Sequence, residues 1–391
     1  MPNTETKDLN FDSFLKTDRA TWLNKIQRDL KLDSLDGLLQ NFENYFKITP
    51  FADESFVEEN NIHPIVIPLQ NINYLVAEIF NVTNDTVAIT NKNLLDALMR
   101  GVQTSIFFVR DVLSSNNFKI LLSQVSAEYL FLHFYFFENA DDDFKKIESN
   151  IFQFLNAVSQ KKNGTHAELF GAMNINATLF SKMILTEHRL VFESFVPVLP
   201  NFYFFYIESL NTAHETNNVV AQIVRLATQL KTFLEIGEKN NLPLQVIADK
   251  MRIRVSVGTK FYIEIAKLRA VRIVCGNILK CWSLQPRNLP IDVAYYPINS
   301  EQSIHNNKIS ATVQVLAAYL GGANTVASVS NINSIKDEDQ TKFDTRIFTN
   351  IQHLLQLESG IPQVNDVAAG SYYIEQLTTR IAEAAWQIIS E

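Results

Sequence analysis

From Asn73 onward the chain alternates short apolar runs with longer segments of helical spacing. That alternation restricts it to the α/β class, because each run has strand length and each following segment can cross back over a sheet. Strands are predicted at 74–80, 105–109, 129–137, 202–209, 252–257, 293–296 and 325–329. Helices are predicted at 91–100, 144–158, 219–236, 259–279, 309–320, 346–357 and 373–389, with Gly101, Gly237 and Gly321-Gly322 as stops. The stretch from His166 to Pro200 does not parse. About eight strands result, which suits a closed parallel barrel. An open doubly wound sheet would show the same alternation.

Residues 1–70 differ in texture. Trp22, Leu23, Ile26 and Leu30, then Leu35, Leu38, Leu39 and Phe42, recur at helical spacing, interrupted at Asp33 and Ser34. Pro50, Pro64 and Pro68 punctuate an extended stretch beyond. This reads as an arm, followed by a domain over 71–391.

The formal net charge is -8. An acidic chain repels phosphate backbones and anionic lipid, so neither nucleic acid nor a membrane is an expected partner. No run reaches the about 18–20 apolar residues of a membrane span. The start carries Glu5, Asp8 and Asp12 and has no basic-then-apolar leader. Cys275 and Cys281 fit neither a redox pair nor a zinc knuckle and read as reduced core thiols. Together these point to the cytoplasm, where the sequon at Asn163-Gly164-Thr165 is inert.

Three segments carry more than fold class. Arg346-Ile347-Phe348-Thr349-Asn350 leads through Glu358-Ser359-Gly360 and Asp366 to Gly370-Ser371-Tyr372-Tyr373-Ile374-Glu375. This resembles the methylmalonyl-CoA mutase signature, in which an RIARN helix precedes DPxGGSYYVE. Phe261-Tyr262-Ile263-Glu264-Ile265-Ala266-Lys267-Leu268-Arg269-Ala270 is similar to the same family's FFMEIAKLRAAR helix. Leu316-Ala317-Ala318-Tyr319-Leu320-Gly321-Gly322 is similar to its EALAALLGG stretch. The three stand in the family's order and cover roughly 205–391.

The resemblance implies a (β/α)8 TIM barrel with an N-terminal extended and helical arm that wraps a partner subunit. It also shows departures. The family's Gly-Tyr-His element, whose Tyr and His face substrate and cobalamin, falls on Leu210, Asn211 and Thr212 when His214-Glu215 anchors the alignment. Asn211 and Thr212 are therefore degenerate positions, since neither replaces an imidazole as a proton-bearing partner of a thioester carbonyl. Thr349, Val367 and Ala369 replace the signature's Arg, Pro and Gly. No Tyr-Pro-Thr-Met-Tyr element is found, and no His has Asp two positions earlier, as the family's lower cobalt ligand does. With the chain stopping at Glu391, no cobalamin-binding Rossmann-like domain is expected.

The resemblance thus implies no catalytic, cofactor-binding or metal residue in this chain. It points to the non-catalytic small subunit of a heterodimer, with adenosylcobalamin on a large catalytic mutase subunit. The alternative is the substrate-binding barrel of an active split acyl-CoA mutase working with a separate cobalamin-binding chain.

The remaining motifs have plain structural readings. His214-Glu215 reads as a helix start with an acid opposing the dipole. Glu264 and Lys267 read as a surface or interface ion pair, with a lysine nucleophile unsupported. Asp141-Asp142-Asp143 reads as a solvated cap rather than a metal site, and Gly321-Gly322 as a stop rather than a phosphate cradle. The aromatic run 202–206 is expected to place rings in the lumen through which the family threads coenzyme A, closing it.

Overall fold

The computed structural model describes residues 17–63, 74–136, 143–159, 168–184, 196–210, 218–285, 289–295, 304–328 and 338–391. The chain divides into two compact units, residues 1–63 and 64–391.

In the first unit, helix α1 (Arg19–Asp29) starts at Asp18, whose carboxylate accepts from the Thr21 N–H at 2.7 Å. The helical spacing of Leu35 to Phe42 does not produce a second α-helix. A 3₁₀ turn (Leu35–Leu38) passes into β1 (Gln40–Phe42), which pairs antiparallel with β2 (Phe46–Ile48). Glu43 and Asn44 turn the hairpin in the left-handed region, and the Phe42 and Phe46 rings stack at 4.8 Å. The short α2 (Glu54–Glu59) follows, capped by Asp53, which also pairs with Arg19. Trp22 meets Phe51 edge-on at 4.3 Å.

The second unit is a closed barrel of eight parallel strands. They are β3 (Leu75–Val82), β4 (Thr104–Val109), β5 (Phe131–Phe136), β6 (Phe170–Ile175), β7 (Phe202–Ser209), β8 (Met251–Val257), β9 (Ile291–Tyr295) and β10 (Thr325–Ser328), which returns to β3. The stretch that did not parse holds β6 and α6 (Ala177–Ile184). The other helices are α3 (Val87–Met99), α4 (Ser115–Leu121), α5 (Asp143–Ser159), α7 (Val219–Lys239), α8 (Leu244–Asp249), α9 (Phe261–Cys281), α10 (Ile304–Leu320), α11 (Glu338–His353) and α12 (Tyr372–Ser390). Closure excludes the open-sheet alternative.

Several boundaries moved. Helix α7 passes Gly237 and ends at Lys239, because Gly237 is buried where an added Cβ would meet Leu244 and Ile247. The predicted 346–357 helix starts earlier and changes to a π turn at Leu354–Glu358. Cys275 is buried, with burial pushing its thiol up to about 12, but Cys281 at the end of α9 is exposed and not a core thiol.

The outer face of the strands carries much of the chain's phenylalanine. Phe134 meets Phe107 at 5.3 Å and Phe154 of α5 at 4.9 Å, and Phe205 lies between Phe180 of α6 and Phe233 of α7. Rings at these spacings bury large areas at low side-chain entropy cost and lock the helices on the wall.

Two gaps in the wall are closed by amide side chains. The β10–β3 ladder is described only through Val326↔Val76, and beyond it the Gln352 amide accepts from the Ala77 N–H (3.2 Å) and donates to its carbonyl (3.4 Å). The β6–β7 ladder shifts register between Ala172 and Ile175. Above the shift, Gln229 of α7 accepts from the Glu208 N–H (3.0 Å) and donates to its carbonyl (2.8 Å). Unpaired buried backbone groups are costly, so these amides replace the missing strand contacts.

Candidate functional site

Alternate strand residues enter the bore, and in this barrel several carry charge. Arg252 and Arg254 stand two apart on β8, His133 and Tyr135 on β5, and Tyr206 and Glu208 on β7, with Asp292 on β9. Apolar residues complete the same face: Ala77, Ile79, Ile106, Phe108, Ala172 and Ala327.

Asp292 is the hub. Arg252 grips it with two bonds, Nε to Oδ2 at 2.9 Å and Nη2 to Oδ1 at 2.5 Å. Tyr206 donates to Oδ2 at 2.7 Å, and its oxygen lies 3.0 Å from His133 Nδ1. With the Tyr206 O–H donated to the Asp292 carboxylate, the imidazole is neutral and donates from Nδ1 to the phenolic oxygen. Burial lowers His133 to about 3, outweighing the pull of Asp292. Burial would raise Asp292, but the Arg252 guanidinium and its bonds hold the carboxyl well below the usual carboxylate range.

Both arginines cross the bore. The Arg252 guanidinium lies 5.0 Å from the Phe131 ring centre on β5 and 4.9 Å from Tyr203 on β7. Arg254 lies 4.2 Å from Tyr135 on β5 and 5.4 Å from Phe108 on β4. In an eight-strand barrel β4 stands opposite β8. Arg252 and Arg254 are only 3% and 6% exposed, so both cations are largely withdrawn from water and lie against aromatic rings.

Above them, at the C-terminal ends of the strands, a cleft of about 700 Å³ opens. Its lining includes Phe108, Tyr135, Asn174, Glu208, Arg225 and Arg254. Glu208 sits 3.9 Å from Arg254. Burial raises its carboxyl, against the pull of Arg254 and Arg225.

The sequence-predicted positions fall elsewhere or outside. Asn211, Thr212, His214 and Glu215 lie outside the described residues, as do Asp141 and Asp142; Asp143 opens α5. Of the aromatic run, Tyr203 and Tyr206 enter the bore, while Phe202 and Phe205 pack outward on helices. Glu264 and Lys267 are not on the surface: both are buried and paired, with Lys267 Nζ donating to the Ser256 carbonyl at 2.8 Å. Sequence reasoning missed His133, Glu208, Arg252, Arg254 and Asp292. The available signal was charge at strand-alternate positions in otherwise apolar runs, as in Arg252-Ile253-Arg254-Val255.

The three signature segments turn out to be one buried clamp outside the bore. Arg269 of α9 pairs with Asp366, which has a positive φ, and donates to Glu375 of α12 at 2.9 Å. Glu375 also accepts from the Gly370 N–H at 2.9 Å. Arg272 donates to the carbonyls of Leu289 (2.9 Å) and Gly322 (2.5 Å). Gly321 is glycine because an added Cβ would lie 2.6 Å from Leu268, and Gly322, at φ +83°, ends α10.

Eight parallel strands, helices around them and a cleft at the C-terminal mouth define a (β/α)8 barrel. The family model for methylmalonyl-CoA mutase matches residues 212–391. The chain is 22% identical to the methylmalonyl-CoA mutase small subunit of Porphyromonas gingivalis, over 98% of this chain and 64% of that one. It is 27% identical to the methylmalonyl-CoA mutase of Cereibacter sphaeroides over 49% of this chain and 28% of that one. With the mitochondrial methylmalonyl-CoA mutase of Bos taurus it shares 32% identity over 43% of this chain and 23% of that one. The chain spans less than two thirds of the length of each of these relatives. Residues 212–391 therefore carry a likeness to the methylmalonyl-CoA mutase family, and a weaker likeness to a small subunit extends along nearly the whole chain.

Proposed function

We propose that the chain is the non-catalytic small subunit of a heterodimeric methylmalonyl-CoA mutase. Its role is to hold and stabilise a larger partner that interconverts methylmalonyl-CoA and succinyl-CoA with adenosylcobalamin. The observation that carries this reading is the pair of arginines spanning the bore. A coenzyme A arm would need that space, and clearing it would strand the buried Asp292 charge. The likeness to a small subunit along nearly the whole chain supports the same reading.

Adenosylcobalamin would be carried by the partner. His133 is fully buried with Nδ1 on Tyr206, which fits a structural hydrogen bond and does not fit a lower cobalt ligand. Helix α1 has no buried residue and leaves Trp22 and Leu30 exposed, which suits an arm that packs on another chain. Obligate interfaces of this kind bury on the order of 2,000–5,000 Å².

The test is co-expression with the large chain, followed by purification and assay. Copurification with unchanged turnover in the double variant Asn211→Tyr, Thr212→His is expected. A clear gain or loss of turnover, or micromolar binding of an acyl-CoA to this chain alone, would overturn the reading.

A further inference from the structure

Helix α11 packs on the barrel through Phe348, Ile351 and Gln352, all buried. Its opposite face points away from the strands. There Phe343, Ile347, Asn350, Leu354 and Leu357 recur at alternating gaps of four and three residues, running on into the π turn. This is the spacing of the apolar seam between two paired helices. A helix that only covers a barrel needs one apolar face, the inner one.

Phe343, Leu354 and Leu357 are each more than half exposed. Met99, at the end of α3, is 88% exposed and adjoins them, because His353 Nε2 lies 2.9 Å from the carbonyl of the next residue, Arg100. Four large apolar side chains thus share one surface, and contiguous apolar surface of this kind marks contact with another protein. The charges at its edge leave the stripe uninterrupted: Lys308 lies over the Phe343 ring at 4.6 Å and pairs with Asp344 at 3.2 Å.

The pattern also indicates the occupant. Asn350 stands at its centre. Phe343 and Leu357 lie seven residues to either side, and Ile347 and Leu354 three and four residues away, so the stripe reads alike from both ends. An antiparallel copy turned about Asn350 therefore sets Phe343 of each chain on Leu357 of the other, and Ile347 on Leu354. The one polar residue of the stripe meets itself. A primary amide both donates and accepts, so two such groups bond each other. A single Asn in an apolar seam fixes register in this way. A surface that meets its own copy closes into a two-fold dimer.

We propose that this face is a contact between two copies of the chain, made by antiparallel pairing of α11 about Asn350. It goes beyond the subunit reading and does not rest on it, since every residue involved belongs to this chain.

The experiment uses the full chain, with whatever partner copurifies, and counts copies of this chain per particle by sedimentation and light scattering over a concentration series. Two copies are expected, with Kd at or below about 10 µM. Leu354→Lys with Leu357→Lys, both at exposed positions, should weaken the pairing about tenfold or more. Ile388→Lys, exposed on α12, should leave it unchanged. Cys281 is exposed, so crosslinking is done in a Cys281→Ser background. There Asn350→Cys should give a disulfide-linked dimer of this chain on mild oxidation, because a residue on the two-fold axis faces its own copy at bridging distance. Ile388→Cys should not. Unaltered circular dichroism checks folding. One copy per particle at about 100 µM, pairing that survives the double lysine variant, or Asn350→Cys that stays uncrosslinked or links to a different chain would overturn the proposal.

Discussion

The guanidinium of Arg254 lies 5.4 Å from the ring centre of Phe108, and the two residues stand on strands facing each other across the barrel. A side chain that spans the full bore turns an axial channel into a core. Two residues earlier on the same strand, Arg252 reaches the Phe131 ring on β5 and anchors on Asp292. The bore is thus held by charge rather than only by apolar packing.

Breaking this network from one side should be severe. Arg252→Met leaves Asp292 buried without its cation and is expected to cost about 3–5 kcal/mol. The double variant Arg252→Met, Asp292→Leu should recover most of that loss, because it leaves no charge behind. Urea denaturation of the three proteins measures both values; equal stability of the single and double variants would contradict the buried-pair argument.

Acid should weaken the fold early. His133 is lowered to about 3, far under its ordinary 6.5, so the unfolded chain binds the proton the folded chain refuses. The stabilisation is complete above about pH 6.5 and is lost as pH falls toward 3. Asp292, also lowered, adds loss in the same direction below about pH 4. The thermal midpoint should fall steadily across this window, and His133→Gln should flatten the slope between pH 6 and about 4 relative to the parent.

The signature clamp makes a different forecast. Arg269 pairs with both Asp366 and Glu375, all three being buried. Arg269→Leu strands two carboxylates and should cost about 3–5 kcal/mol or prevent folding. Glu375→Gln retains an oxygen for the Gly370 N–H and should cost less. Hydrogen exchange on α12 is the readout, with faster exchange along this helix expected before the barrel strands respond.

Gly321→Ala isolates one close contact. The new methyl would lie 2.6 Å from Leu268 Cδ1 and 2.9 Å from its Cβ. Overpacking of this kind costs about 1–3 kcal/mol, and Leu268→Ala in the same chain should partly relieve it. A double-mutant cycle in urea reads the coupling.

Much of the fold was legible. Strand 202–209 and the ends of the helices at Gly101 and Gly321-Gly322 matched because apolar periodicity and glycine stops are local signals. Strand β6 was missed: Phe170–Ile175 contains Gly171 and Asn174, whose roles depend on neighbours. Gly171 permits close approach to the Leu132 carbonyl, and Asn174 bonds the Phe136 backbone. The candidate site was hardly legible. Arg252, Arg254, His133 and Asp292 come from three strands far apart in the chain, and only the closed register brings them into contact.

By itself the sequence determined the alternation that makes the barrel, the acidic balance, and the three segments that carry the family likeness, because each is written in residue order and local spacing. Only the tertiary structure decided that those segments form a buried clamp and that arginines bridge the bore. The physical reason is that a charge on a strand takes its meaning from what lies across the lumen, and that distance is not a distance along the chain.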